Sequence, residues 1–183
     1  MGAAEIVIRP AEMGDLKVCY SLNGSYVTEY VWQMEAHAGE EEIALAFRLV
    51  KLPRPMRVRY PRDGEHLHLE ENWGRDECFL VAEDGENIQG YIDMTVQAWN
   101  GTGWVNNLIV AKNRRREGIG TALLWAAMHW ARERGLRQIL VETQTKNYPA
   151  ICFLQKNGFV FCGFSDRHYL NKDIAVFFAK SLR

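Results

Sequence analysis

An α/β fold, a mixed sheet with helices on its faces, is what the order of apolar patterns in this chain predicts. Three observations carry that expectation. Two extended runs within 78–99 flank Asp84-Gly85-Glu86-Asn87, a turn signal of the Asp-Gly kind that reads as a hairpin. A Val/Ile-rich strand at 104–111, a helix at 119–134 and a strand at 137–143 follow in the order of a right-handed βαβ crossover. A short helix and two further strands, 159–164 and 173–182, then close the chain.

Taken in order, EIVIR at 5–9 reads as a first strand ended by Pro10, and 12–31 carries a mixed helical pattern through Leu16, Cys19, Tyr20 and Leu22 that Gly24 interrupts. In 40–52, Ile43, Ala46, Phe47 and Val50 recur at offsets of three, four and seven, which predicts a helix that Pro53 stops. Residues 53–77 read as a loop in which Arg54, Arg57, Arg59 and Arg62 precede Glu65, Glu70, Glu71 and Asp76. Pro53, Pro55 and Pro61 argue against an ordinary helix or a central strand there. The helix at 119–134 sets Ile119, Leu123, Ala126 and Trp130 on one face and ends at Gly135. Pro149 in its first turn and Asn157-Gly158 after it bracket the short helix. One domain, 1–183, is expected, with 38–76 as a variable helix-loop segment.

Composition narrows the function. With 22 Lys+Arg against 23 Asp+Glu the net charge is −1, which argues against a nucleic acid or an anionic membrane as main partner. No apolar run approaches the roughly 20 residues of a membrane span, and no export signal is visible at the N-terminus, so a soluble protein is expected. Cys19, Cys78, Cys152 and Cys162 are far apart without a CxxC, and read as reduced thiols of a cytoplasmic protein. His66 and His68 stand two apart but lack a third ligand, so no metal is expected.

The chemistry lies in LIVAKNRRREGIGTALL, where a strand ends, a basic loop turns, and Gly118 and Gly120 open a helix. Unpaired N–H groups and the dipole at a helix start attract anions, and glycines let phosphates approach the main chain. A Walker loop would need Lys where Gly120 stands, and Gly101-Thr-Gly103 precedes a strand rather than a helix, so both nucleotide fingerprints fail. The plain alternative is a surface loop with glycine only as helix starter.

A second segment bears on that choice. Asn147, Ala150, Phe153, Gly158 and Phe159 form N-x-x-A-x-x-F-x-x-x-x-G-F directly after RQILVET. Together with R-x-x-G-x-G at Arg115, Gly118 and Gly120, this resembles the GNAT N-acetyltransferase superfamily over about residues 78–182. VETQTKNYPAICFLQKNGF, Trp99-Asn100 and the closing DIAVFF look most like streptothricin acetyltransferases. The resemblance implies a GNAT fold: a central mixed, mostly antiparallel sheet of about seven strands with helices on both faces. It also implies acetyl-CoA as co-substrate, with the pyrophosphate on the main chain of Arg116, Glu117, Gly118, Ile119, Gly120 and Thr121 and Arg115 adding charge. The pantetheine arm would run along Leu108, Ile109 and Val110, as an added strand does, where two strands splay apart. Asn147 would reach that arm from the other side, or serve as helix N-cap. A homodimer is common in the family.

Acetyl transfer to an amine needs a neutral amine, a polarised carbonyl and a proton for the departing thiolate. An alkyl ammonium, with a pKa of about 10.4, must first lose its proton. Where many relatives have a Glu base, Asn106 stands, so Asp93 and Glu142 are the candidate carboxylates. Asp93 shares a strand face with Tyr91 and Thr95, and its alternative is a strand-end charge facing solvent. Glu142 shares a face with Leu140, either partly buried or paired with an arginine. Leu154 stands where relatives place a Tyr acid, leaving Tyr148 and Tyr169 as substitutes, with packing as the alternative for each. The expected acceptor is the primary amine of a small molecule, such as a streptothricin-like antibiotic, with Glu29, Glu35, Glu70 and Glu71 as contacts for its positive charge. A protein N-terminus or lysine, and a CoA-binding module without chemistry, are the alternatives.

Overall fold

The computed structural model describes residues 5–61, 67–75, 77–85 and 87–183. Arg62, Glu65, His66, Asp76 and Glu86, named above, lie outside them. Strands β1 (Ile6–Pro10), β2 (Tyr26–Ala38), β3 (Ile43–Val58), β4 (Cys78–Asp84), β5 (Asn87–Gln97), β6 (Thr102–Val110), β7 (Gln138–Gln144), β8 (Val160–Ser165) and β9 (Ala175–Ser181) alternate with helices α1 (Leu16–Ser21), α2 (Leu69–Gly74), α3 (Ile119–Glu133) and α4 (Tyr148–Lys156). One sheet has the order β1-β4-β5-β6-β7-β9-β8, and β2 with β3 forms a separate two-stranded sheet. The pairs β1–β4, β4–β5 and β5–β6 are antiparallel, and β6–β7 is parallel, as a βαβ unit through α3 requires. No helix among the described residues is long and apolar enough to cross a membrane.

The chain forms two compact units. The first comprises the described residues up to Gly24, Arg59–Val141 and Ala179–Arg183. Within it, α1 and α2 cover one face of the sheet, where Leu16, Cys19, Leu69, Phe79, Val81, Tyr91 and Ile109 are buried together. Helix α3 covers the other face: Leu123 lies against Gly90, whose neighbour Tyr91 points the opposite way along β5. Its buried stripe is Ile119, Leu123, Leu124, Ala127, Met128 and Ala131. The expected face at Ala126 and Trp130 lies beside that stripe, with Trp130 under the Arg134 guanidinium at 3.9 Å and Trp125 exposed. Gly135, at φ +70°, ends the helix as its sequence predicted.

The second unit comprises Ser25–Val58 and Glu142–Phe178. Here two expected helices give way to strands. The pattern at 12–31 is helical only to Ser21, and 43–58 is the strand β3. Tyr26–Ala38 is rich in β-branched and aromatic residues, and pairs with β3 in a register that sets Trp32 against Leu49 and Met34 against Phe47. Phe47 stacks on Phe161 at 5.4 Å and Phe164 at 5.8 Å. The apolar residues read as a helix face thus find their partners across strands, which a local window cannot register. Pro53 and Pro55 fall where the register shifts between Thr28 and Tyr30, so neither interrupts a ladder bond and Pro53 stops nothing.

Candidate active site

Helix α3 opens on Gly118, whose φ of +89° an L side chain rarely adopts and whose missing Cβ would meet nothing within 4 Å. Two residues earlier Arg116 is also left-handed, at φ +71°. Left-handed non-glycine residues persist where surrounding structure over-determines them, typically at functional bends. The first backbone hydrogen bond of the helix is Ala122 N–H to Gly118 O at 3.0 Å, so the N–H groups of Ile119, Gly120 and Thr121 precede the ladder. The open space before Gly118, with these donors, suits a phosphate-bearing ligand. Arg115 does not project from the bend: its Nε donates to Val110 O at 3.0 Å and Nη2 to Asn23 O at 2.7 Å, and burial lowers its pKa. It fastens the bend to the end of β6. Arg114 bonds Glu117 at 2.8 Å and also pairs with Asp84.

The edge of β6 that faces β7 is paired only from Thr102 to Val105, opposite Gln138 to Val141. Residues Leu108, Ile109 and Val110 lie beyond that ladder while remaining paired to β5 on their other side. A bulge between Asp93 and Met94 falls at the same level and aims the two asparagines of β6. Asn106 Nδ2 donates to Asp93 Oδ2 at 3.0 Å, and Asn72 Nδ2, from α2, donates to the same oxygen at 2.6 Å. Asn107 Oδ1 accepts from the Tyr60 hydroxyl at 2.6 Å. Asp93 is 1% exposed, so the expected alternative of a charge facing solvent does not hold. Burial pushes its pKa up to about 6, against the amides of Asn107, Asn106 and Asn72, which favour the charged form. A cavity of about 300 Å³ is lined by Tyr60, Asn72, Asn106 and Asn107 together with Leu67, His68, Glu71 and Arg75.

In the second unit, Glu142 pairs with His168, and the His168 ring meets Tyr169 edge-on at 4.8 Å. Two expected site residues, Glu142 and Tyr169, are thus joined through a histidine the sequence reading passed over. Asn147 is the N-cap of α4, accepting from Ala150 N–H at 3.3 Å. Leu154 is buried in the core and Tyr148 packs on Tyr30 at 5.2 Å. Among the described residues no cluster of His, Cys, Asp or Glu is placed to hold a metal. Tyr60, Asn72 and Asn107 were also missed. The available signal was two adjacent asparagines inside a Val/Ile-rich strand, where that residue type is disfavoured unless a buried partner awaits it.

Comparison with known proteins agrees with this architecture. Residues 32–159 match the model of the "Acetyltransferase (GNAT) family". Streptothricin acetyltransferase A of Bacillus subtilis (strain 168) is 36% identical over 131 residues, 69% of this chain and 74% of that protein. Streptothricin acetyltransferase of Streptomyces lavendulae is 29% identical over 164 residues, 88% of this chain and 85% of that one. The crystal structure of a nourseothricin acetyltransferase superposes with a TM-score of 0.81 at 25% identity, covering 97% of this chain and 99% of that one. A Bacillus anthracis str. Ames protein solved in complex with acetyl coenzyme A has the same fold, with a TM-score of 0.77, 22% identity and 97% and 99% coverage. Strand order, glycine bend and sequence match together establish that the chain belongs to the acetyltransferase (GNAT) family and is an N-acetyltransferase.

Proposed function

We propose that this protein moves an acetyl group from acetyl-CoA to a primary amine of a small cationic molecule, an antibiotic of the streptothricin kind. The observation that carries the reading is the conjunction, within one unit, of the left-handed bend at 116–118 with the unpaired stretch of β6 and the polar cavity at Asn106 and Asn107. Acetyl-CoA supplies an activated thioester when bound. The main chain of 116–121 would hold its pyrophosphate, and the main chain of Leu108, Ile109 and Val110 would hold its pantetheine amides.

This chain's own task is the proton. An amine enters as the ammonium and must leave its proton on a base or on water before it attacks. Glu142 is the proposed acceptor of that proton, with His168 against its carboxylate, and Tyr169, whose ring meets the His168 ring edge-on, is the proposed donor to the thiolate. Asp93, set back from the cavity wall, contributes negative charge. A cytoplasmic homodimer that confers antibiotic resistance completes the reading. Light scattering should then give twice the 21.1 kDa chain mass.

A panel of amines that includes nourseothricin, assayed with acetyl-CoA and thiol detection, tests the proposal. Thiol release with the antibiotic and with other small amines is expected. A CoA-binding module without chemistry is the second reading, favoured by Asn106 and Leu154 at the positions of the expected base and acid. Binding of acetyl-CoA with no amine acetylated would establish it.

A further inference from the structure

Asp93 is not among the residues that line the 300 Å³ cavity, whereas Tyr60, Asn72, Asn106 and Asn107 are. Its reach into that space is through their amides. A carboxamide carries its two donors on nitrogen and its acceptor on oxygen. Asn72 and Asn106 both commit nitrogen to Asp93 Oδ2, at 2.6 and 3.0 Å, which turns their oxygens the other way. The Asn106 oxygen accepts from Thr95 Oγ1 at 3.3 Å. The Asn72 amide, on the cavity wall with its nitrogen turned inward, leaves a ligand its oxygen. The Asn107 oxygen accepts the Tyr60 proton at 2.6 Å, which fixes a third amide on the same wall. Of the ionisable side chains on the wall, His68 and Glu71 lie 3.3 Å apart, and Arg75 is exposed. The fixed amides, not these outer charges, set the polarity of the inner wall. An ammonium, with three donors and no acceptor, matches it.

We propose that Asp93 is a positioning residue that holds the Asn72 amide by its nitrogen, leaving the Asn72 oxygen to the cavity, and that Asn72 receives an ammonium group of the acceptor molecule. This rests on the acetyl transfer proposed above and assigns the part of the site that selects a cationic substrate. With Asp93 replaced by an amide, Asn72 is free to turn over and present its NH2 group to the cavity, which an ammonium rejects.

Steady-state kinetics with nourseothricin and acetyl-CoA on Asp93→Asn, Asn72→Ala and the double variant test the inference, with calorimetric affinity for acetyl-CoA confirming that each variant is folded. Each single change should raise KM for the antibiotic about tenfold or more with kcat little changed, as loss of one charge-assisted hydrogen bond does. The double variant should lose less than the product of the two, because one interaction is being removed twice. A fall in kcat at constant KM in Asp93→Asn, or multiplicative losses in the double variant, would overturn it. Should Asp93→Asn not fold, Asn72→Ala alone decides: an unchanged KM contradicts the assignment. A wild-type chain that binds acetyl-CoA but acetylates nothing defeats the proposed function instead, and is distinguishable from all of these.

Discussion

Asp93 is an aspartate on the buried face of a strand, and its titration should be visible in stability. Its pKa is about 6 in the folded chain, while an unfolded aspartate titrates near about 3.9. A raised folded pKa means that the protonated form is the one the fold favours. That contribution is complete below about pH 4 and disappears as the pH rises through about 6. Asp93→Asn removes the titration, so denaturant midpoints should show the variant gaining on the wild type between pH 4.5 and 7.5, by about 2 kcal/mol. The ionisable groups beside Asp93 do not confuse the comparison. Burial pushes the Cys19 and Cys78 thiols up to about 12 and raises Tyr91 as well, so all three stay neutral in this range. His68, Glu71 and Arg75 on the cavity wall are common to both proteins. An identical pH profile for the two proteins would show that Asp93 does not titrate there. Much of this cluster was legible at the level of single residues: Asp93 and Asn106 stood out in the sequence. Asn72 and Tyr60 did not, because they come from 53–77, where proline and charge patterns give no periodicity to place a side chain.

Elements were legible where their partners are local or their boundaries chemical. Helix α3 was readable because Gly118 and Gly135 bracket it, both left-handed in the structure, and because its apolar spacing has nowhere to go but the sheet. Leu123 is fully buried against β5, and Leu123→Ala should cost about 2–5 kcal/mol in equilibrium unfolding. A cost near zero would mean that α3 does not rest on the sheet as described. The β2–β3 pair was misread for the opposite reason. Its apolar residues satisfy a helical spacing by coincidence, and their true partners lie across a turn in a register that no single window contains. The Glu142–His168 contact was invisible likewise, joining a strand to a loop 26 residues further along the chain.

At the scale of the whole molecule, the family follows from the joint pattern of a glycine bend, a crossover helix and a second asparagine-started helix, while the acceptor molecule follows from none of these. The proposed donor contacts at 108–110 and 116–121 all belong to the first compact unit. Acetyl-CoA at about 100 times its Kd should therefore stabilise that unit by about 2.7 kcal/mol, a rise in melting temperature of roughly 5–10 °C by differential scanning calorimetry. Inorganic phosphate at the same concentration should give far less, since it lacks the amides that an added strand would pair.

Isothermal titration of acetyl-CoA into the wild-type chain and into Gly118→Ala tests the central claim most directly. A methyl group at 118 forces a left-handed residue to carry a Cβ and places it in the open space before the helix. One molecule of acetyl-CoA should bind each wild-type chain, and the variant should bind it at least about tenfold more weakly. Equal affinity in the two proteins, or no uptake of acetyl-CoA by the wild type, would contradict the account.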